Sequence, residues 1–398
     1  MRFRIARRVS IKAAVAAALA VPVSILGAGA ASAAPSHGGS APSFTVTRIA
    51  SGQRLTHWFT AAGSSKWQHE HLSSPDDITV LQGRLYVTFQ NGVGPQGQAS
   101  TDGNRDSTIV EFTLSGREVR QWDLRGKCDG LTADPWAGVV VATVNEDANS
   151  SLYTIRPDGW HGGQVEHYSY NEPLPHKGGT DAISVYGGHL LISASAPGTT
   201  GAAAPNAAYP AVYSVALDPW THVATVHSLF GDEASSTVAN SGADAGKTVK
   251  LALTDPDSNE VVPFTAPRFR GDFMLTSQGD KEQIYVSHAG TGYQSLSVLS
   301  LSQSVDDTAW ATGWNGRIYT TDNSEDFVDT VTGPFRPGLA FVAVTPCDAN
   351  NAPATCPAPP ASPPNYLGEL NMSTGHISAV ALHGPALEPQ GMIFLPRW

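Results

Sequence analysis

The sequence predicts an all-β protein built from repeated strand pairs, and three observations point to it. The 398 residues include 39 glycines and 28 prolines but only 15% charged side chains, a composition rich in turns and poor in exposed helix. Short apolar and β-branched runs alternate with these turns, as strands alternate with hairpin loops. The third observation is a repeat, because DDITVLQGRLYV at residues 76–87 recurs as DAISVYGGHLLI at residues 181–192.

Each copy of the repeat begins with an aspartate and continues as a strand, a tight turn and a second strand. The turn glycines are Gly83 and Gly188. The segment KCDGLTADPWAGVVVATVNED, residues 127–147, fits between these copies with a longer turn. Weaker copies follow later in the chain. The six predicted starts are therefore Asp76, Asp129, Asp181, Asp272, Asp306 and Gln390.

Between the starts lie segments that predict a second strand pair, such as STIVEFTLSGREVRQWDL. Two hairpins per unit make a four-stranded antiparallel sheet. We predict a single β-propeller of six blades over residues 44–398, with insertions near 232–262 and 346–364. Seven blades would result if residues 338–344 opened a blade of their own, and the structural rival is a β-sandwich array. Segments 44–50 and 54–61 are expected to close the ring by pairing with the strand from Gln390.

The N-terminus reads as an export signal over residues 1–33, with five basic residues, an apolar core and a small-residue cleavage site at Ala31-Ser32-Ala33. Arg7-Arg8 resembles the twin-arginine motif, and the general secretory route is the alternative. Residues 34–43 are predicted to be a flexible mature N-terminus. We therefore expect a secreted, extracellular protein. No later run reaches the ~18 apolar residues of a membrane helix, so we expect no membrane span.

The charge balance is acidic. The formal net charge is −11, and removing the signal lowers Lys+Arg from 24 to 19 against 35 acids, a net charge of −16. An acidic surface repels phosphate backbones, so no nucleic-acid partner is expected. Cations are the favoured partners. We expect a monomer that binds a small molecule or an extracellular protein.

The repeated acids predict a site. In a propeller the first strand of each blade lines the central channel, so the acids at equivalent starts would converge there, with Asp77 and Asp307 beside them. Oxygen ligands suit Ca²⁺ or Mg²⁺. The candidate metal ligands are Asp76, Asp129, Asp181, Asp272 and Asp306. The alternative is that each aspartate only accepts backbone hydrogen bonds in a repeated turn.

Histidines supply the candidate proton carriers. His69 and His71 alternate in WQHEH and would point to the same side of an extended strand, where two imidazoles and a carboxylate could bind a transition metal. The alternative is that both are solvated. His176 and His288 are near predicted strand ends, where a general base could lie.

The three cysteines predict one short disulfide. Cys347 and Cys356 flank DANNAPAT in a proline-rich stretch and could pair in an oxidising compartment. Cys128 is then predicted to be a small buried hydrophobic residue rather than a nucleophile. The sequence contains no phosphate-binding loop or dinucleotide motif, so no nucleotide cofactor is expected.

Two segments carry a resemblance to known proteins. DGLTADP at residues 129–135 and PQGM at residues 389–392 resemble the blade openings of six-bladed propellers of the gluconolactonase/regucalcin and NHL-repeat type. The resemblance implies architecture. From the residues, the first functional hypothesis is a metal-dependent hydrolase or lyase acting on a lactone, ester-like or sugar-derived substrate. The alternative is a non-catalytic extracellular binding or scaffold propeller.

Overall fold

The computed structural model describes residues 43–160, 162–175, 178–195, 209–347 and 364–397. These residues form 29 β-strands and one 3₁₀ turn at Gly52–Arg54, and no α-helix occurs among them; in this part of the chain no helix could span a membrane. The fold is a β-propeller, as predicted. The predicted signal at 1–33 lies outside the described residues and stays a prediction.

Three successive units follow the predicted plan of four antiparallel strands in chain order. The first contains β4 (Pro75–Leu81), β5 (Arg84–Phe89), β6 (Asp106–Thr113) and β7 (Glu118–Arg125). The second contains β8 (Cys128–Asp134), β9 (Val139–Val144), β10 (Ser151–Ile155) and β11 (Val165–Tyr170). The third contains β12 (Ile183–Tyr186), β13 (His189–Ser193), β14 (Pro210–Asp218) and β15 (Val223–Gly231). The predicted starts near residues 76, 129 and 181 therefore open first strands.

The fourth unit corrects one predicted start. Its strands are β18 (Pro256–Val261), β19 (Phe273–Ser277), β20 (Glu282–Ser287) and β21 (Ser295–Ser300), with β16 (Ser235–Val238) and β17 (Thr248–Lys250) outside them. Asp272 precedes the second strand, so its assignment to a first strand is wrong. The first strand lies inside the predicted insertion at 232–262, where PDSNEV has too few apolar residues to stand out as a buried strand.

The last two units are interleaved along the chain. β22 (Val305–Trp310) is followed in sequence by β23 (Gly316–Asp322) and β24 (Phe327–Thr332), but it pairs with β25 (Ala340–Val344). β26 (Tyr366–Leu370) and β27 (Ile377–Ala379) complete that sheet. The expected hairpin between the strand starting at Asp306 and the next strand along the chain is therefore wrong, and residues 338–344 supply a second strand rather than opening a blade.

The final sheet joins both ends of the described chain. Its order is β28 (Leu382–His383), β1 (Phe44–Ser51), β24, β23 and β29 (Pro389–Pro396). The first and last strands share this sheet but are separated by β23 and β24, so their predicted direct pairing is wrong. β2 (Thr56–Thr60) and β3 (Trp67–His71) form a separate hairpin, which also differs from the expectation for residues 54–61.

Buried side chains between neighbouring sheets hold the units together. Tyr86, Phe112, Phe273, Tyr285 and Phe341 are among the largest fully buried side chains of the described residues. The first strands contact one another in a cycle, since β4, β8, β12, β18, β22 and β29 follow in order and β29 returns to β4. This cycle surrounds a central channel.

Candidate functional site

The central channel contains a cavity of about 430 Å³ whose walls come from all six first strands. Five aspartates and one glutamine occupy equivalent positions at, or just before, the starts of these strands. We call this set the channel layer: Asp76, Asp129, Asp181, Asp257, Asp306 and Gln390. The predicted convergence of acids is thus observed in the channel geometry for four of the five candidates, with Asp257 in the place given to Asp272.

A repeated β-bulge explains why these side chains reach the channel. In β4, residues 76–77 oppose the single residue 88 of β5, because the register shifts between Pro75 and Ile78. The same two-against-one arrangement occurs at the starts of β8, β18, β22 and β29. A bulge bends its strand and redirects a side chain. The recurring aspartate is therefore the first of the two residues that form each bulge.

The second bulge residue has a different role where it is acidic. Asp77 accepts hydrogen bonds from the backbone N–H groups of Ile78 and, in the next unit, Leu131, both at 2.6 Å. Asp307 likewise accepts from Thr308 at 2.7 Å and from Met392 of the adjacent sheet at 2.5 Å. The alternative interpretation of the acids as backbone acceptors fits these two residues, which connect neighbouring sheets.

The channel layer is electrostatically unfavourable when its acids are all ionised. Burial, followed by the charges of neighbouring acids, raises the pKa of Asp76, Asp181 and Asp257 well above the ordinary value. Burial also raises the pKa of Asp129 to about 7, although the nearby charge of Lys127 lowers it. Part of this layer therefore retains protons at neutral pH.

Lys127 is the cationic side chain among the described residues lining the two cavities here. Its Nζ lies 2.7 Å from Asp129 Oδ1 and 2.5 Å from Glu146 Oε1. It lines a second cavity of about 370 Å³, which shares Asp76 and Gln390 with the first. One lysine cannot neutralise the whole layer, so a negative potential remains in the channel.

Three buried polar atoms on the cavity wall have no hydrogen-bond partner within the described chain. They are Asp129 Oδ2, Ser184 Oγ and Asn259 Oδ1. Asn259 uses its amide nitrogen to donate to Ala182 O at 2.6 Å and to Ser193 Oγ at 2.7 Å, so its oxygen is left for another donor. Buried polar groups are normally satisfied. These atoms mark the wall as suited to a polar ligand.

The opposite end of the cavity is apolar. Leu131, Val185, Val261 and Ile393 lie along its wall, and Trp136 stands at the turn after β8. Small-molecule sites commonly combine such a wall with a few polar groups, in cavities of ~300–1,000 Å³. The channel meets this description.

The predicted histidines that the structure describes, His69, His71 and His288, do not line the channel cavities. His69 and His71 lie on β3 with exposed side chains, His69 packed against Trp58 with ring centroids 4.8 Å apart. His71 Nδ1 lies 3.0 Å from Leu55 O. His288 lies in the exposed turn between β20 and β21, and His176 lies outside the described residues. Proximity in sequence to Asp76 did not bring His69 or His71 into the site.

His57, which the sequence did not single out, is the buried histidine of that hairpin. Its Nε2 lies 2.9 Å from Glu70 Oε1 and its Nδ1 lies 3.2 Å from Asp123 Oδ1. Asn104 donates to the same Glu70 oxygen at 2.7 Å. Burial lowers the pKa of His57, but the hydrogen bonds and charges of Asp123 and Glu70 outweigh it and raise the pKa to about 9. Both ring nitrogens of His57 therefore have carboxylate partners within this cluster.

The metal assignment and the disulfide pairing both stay predictions. Among the described residues, no three His, Cys, Asp or Glu side chains converge closely enough to hold one metal ion. Cys128 is free and buried, and Cys347 is disulfide-bonded. Cys356 lies outside the described residues, so its pairing with Cys347 stays a prediction.

Comparison with known proteins gives architectural similarity only. No known protein family and no curated protein matches the sequence. Solved structures similar to this chain include a periplasmic gluconolactonase from Pseudomonas aeruginosa, with 12% identity, a TM-score of 0.42, and coverage of 88% of this chain and 99% of that chain. AztD from Citrobacter koseri has 10% identity, a TM-score of 0.36, and coverage of 90% and 99%. A Bacteroides thetaiotaomicron protein of unknown function has 10% identity, a TM-score of 0.44, and coverage of 87% and 66%.

Proposed function

We propose that this chain is an exported six-bladed propeller that binds a small, positively charged organic ligand in its channel cavity. The observation that carries the proposal is the channel layer, in which five aspartates, three buried and two half-buried, line one cavity whose described lining residues include no cation. The six-blade count is supported by the cycle of six first strands. The basic and apolar segment at 1–33 supports export.

The electrostatics of the channel layer favours a positively charged ligand. Burying several carboxylates together is unfavourable unless they are protonated, hydrogen-bonded or neutralised by a cation. Lys127 neutralises the side of the layer at Asp129. Asp181 and Asp257 lie on other first strands, and a ligand cation beside them would replace the protons that their raised pKa values retain.

The spacing of the acids supports an organic cation as the ligand in preference to a single metal ion. A metal ion needs several oxygen ligands converging within about 2.6 Å, and the described acids do not converge in this way. An amine donates up to three hydrogen bonds and can contact two separated carboxylates. Its carbon skeleton would contact the apolar wall formed by Leu131, Val185 and Ile393.

Calorimetric titration with spermidine as a probe tests the proposal. We expect binding at pH 7 to release protons, so that the measured enthalpy differs between buffers of different ionisation enthalpy. The double variant Asp181→Asn/Asp257→Asn should bind at least about tenfold more weakly, since each lost charge pair contributes ~1.5–3 kcal/mol. Glu172→Gln, which changes an exposed acid elsewhere, is the matched control.

Two results would contradict the proposal. Spermidine and simple diamines could give no heat beyond that of a chloride-matched buffer injection, which would show that they do not bind. Alternatively, the double variant could bind spermidine as well as the parent does. Tight binding of Ca²⁺ in the same cell, with no amine binding, would instead favour the metal-dependent reading of the acids.

A hydrolase for a lactone or ester is the second candidate, and one observation favours it. Asp129 lines the cavity, where a carboxyl group could transfer a proton to or from a bound substrate. Its pKa of about 7 suits either direction of transfer at neutral pH. A gluconolactone hydrolysis assay against pH tests this, and an unchanged rate in Asp129→Asn would exclude the role.

A further inference from the structure

One face of the propeller carries nearly all the exposed aromatic side chains of the described loops. Adjacent strands are antiparallel, so the loops after the first and third strands of each sheet lie on the same side. We call this side the aromatic face. Its exposed aromatic residues are Trp136, Trp160, Trp220, Phe264, Tyr293 and Trp314, each between 67% and 95% exposed.

Contacts between these loops confirm that they share a face. In the second unit, Arg156 of the loop after β10 donates to Ala137 O in the loop after β8 at 2.7 Å. Between the fourth and fifth units, Arg268 of the loop after β18 donates to Met372 O in the loop after β26 at 2.7 Å. The channel cavity reaches the same side at Trp136.

The turns that expose these rings are themselves ordered. Asp-Pro-Trp occurs at 134–136 and again at 218–220, each at a strand-to-strand turn. The carboxylate of Asp134 accepts from Trp136 N, and that of Asp218 accepts from Trp220 N, both at 2.9 Å. Each tryptophan is held at a turn with its ring in solvent. Folding does not explain an indole that is more than nine-tenths exposed.

Charge is divided between the two faces. Among the described residues, the exposed charged side chains in the loops of the aromatic face are five arginines and one aspartate, namely Arg117, Arg156, Arg270, Arg336, Arg397 and Asp158. Away from this face, the loops, the 3₁₀ turn after β1, the β2–β3 turn and strand β17 expose five acids and four cations, namely Asp102, Asp147, Glu172, Asp244, Glu325, Arg54, Lys66, Lys247 and Lys250. An acidic chain thus presents a basic, aromatic face.

We propose that the aromatic face docks on an anionic lipid bilayer. Tryptophan, tyrosine and arginine are favoured at the headgroup layer, where rings enter the interface and guanidinium groups contact lipid phosphates. The rings stand on separate turns around the face, which suits a soft surface into which each can insert. The opposite side, whose exposed acids and cations nearly balance, would point away from the lipid, and the channel would open at the membrane.

Co-sedimentation with vesicles tests the proposal. The full chain is mixed with vesicles of equal parts phosphatidylglycerol and phosphatidylcholine, and with vesicles of phosphatidylcholine alone. We expect binding to the anionic vesicles that weakens with salt. Trp160→Ser/Trp220→Ser should partition at least about tenfold more weakly, and Arg117→Gln/Arg336→Gln/Arg397→Gln roughly a hundredfold more weakly.

Matched variants distinguish docking through the aromatic face from nonspecific adsorption to the vesicles. Trp58→Ser/Trp67→Ser removes two exposed indoles of the β2–β3 hairpin, and Lys247→Gln/Lys250→Gln removes cations from the opposite side. Both should bind like the parent. All variants change exposed residues, and circular dichroism verifies their folding. As a second readout, brominated lipids should quench parent tryptophan fluorescence.

Three outcomes would overturn the proposal: no binding to anionic vesicles, equal binding to both vesicle types, or equal losses in the test and control pairs. Binding to insoluble peptidoglycan without vesicle binding would assign the face to a polysaccharide and also overturn it.

Discussion

Two regions of this propeller bring acidic side chains close together, and they differ in how those charges are paired. Beside the hairpin, Glu70 and Asp123 both contact His57, and Asn104 donates to Glu70. In the channel, five aspartates line one cavity, and among the described residues that line the two channel cavities the one cation is Lys127, which contacts Asp129. The difference shows that buried charge alone does not indicate function. Acids that have ion-pair and hydrogen-bond partners within the chain stabilise the fold, whereas acids without a cationic partner favour binding of a cationic ligand.

The largest expected effect separates the two acids of one bulge. Asp77→Ala removes the acceptor for Ile78 N and Leu131 N, so two buried donors lose their partner at about 1–3 kcal/mol each. We expect urea denaturation to show a loss of about 3 kcal/mol in unfolding free energy. Asp76→Ala, one residue away, removes an unbalanced charge and should not share this loss. Equal losses would show that both acids are structural.

The hairpin cluster should be nearly as sensitive. His57→Leu leaves Glu70 and Asp123 without their cation, and breaking such a pair costs about 3 kcal/mol when it is buried. Because both carboxylates are partly exposed, we expect a loss of about 2 kcal/mol by denaturation. His69→Gln, an exposed change on the same hairpin, should stay within ~0.5 kcal/mol. A tolerant His57 would remove the contrast between the regions.

The pH dependence of stability should differ in range between the regions. The folded pKa of His57 is about 9, above its ordinary 6.5, so its contribution is present below pH 6.5 and is lost as the pH rises through 9. The folded pKa of Asp129 is about 7, above its ordinary 3.8. Its contribution is present below 3.8 and is lost as the pH rises through 7. Thermal melting of the parent, His57→Leu and Asp129→Asn across both ranges would resolve the two losses.

The smallest effect has the opposite sign. Asp257→Asn replaces a buried acid by a neutral side chain of the same shape, and the pKa of Asp257 is raised first by burial and then by Asp181, Asp306, Asp255 and Asp76. We expect the unfolding free energy at pH 7 to rise by about 1 kcal/mol, with the gain disappearing below pH 4. A destabilised variant would mean that the chain already balances this charge.

The sequence predicted the parts of the site that follow a local pattern. Asp76, Asp129 and Asp181 begin strand pairs of clear alternation, and their convergence follows from the repeat. Asp257 was missed because Ser258, Asn259 and Glu260 interrupt the apolar pattern of its strand, although Pro256-Asp257 echoes Pro75-Asp76. His57 was missed because its partner Asp123 is 66 residues away. Long-range partners leave no periodic signal.

The interleaving of the last two sheets constrains how the chain can fold. Strand β22 precedes β23 and β24 of the neighbouring sheet, and β1 and β29, from opposite ends of the described chain, belong to that same sheet. The strands of these two sheets alternate along the chain, and the last sheet is complete only once β29 has been synthesised. These two sheets should therefore form late and as one cooperative step, after the first three units. Excising a single unit from this part of the ring would leave unpaired strands in its neighbour.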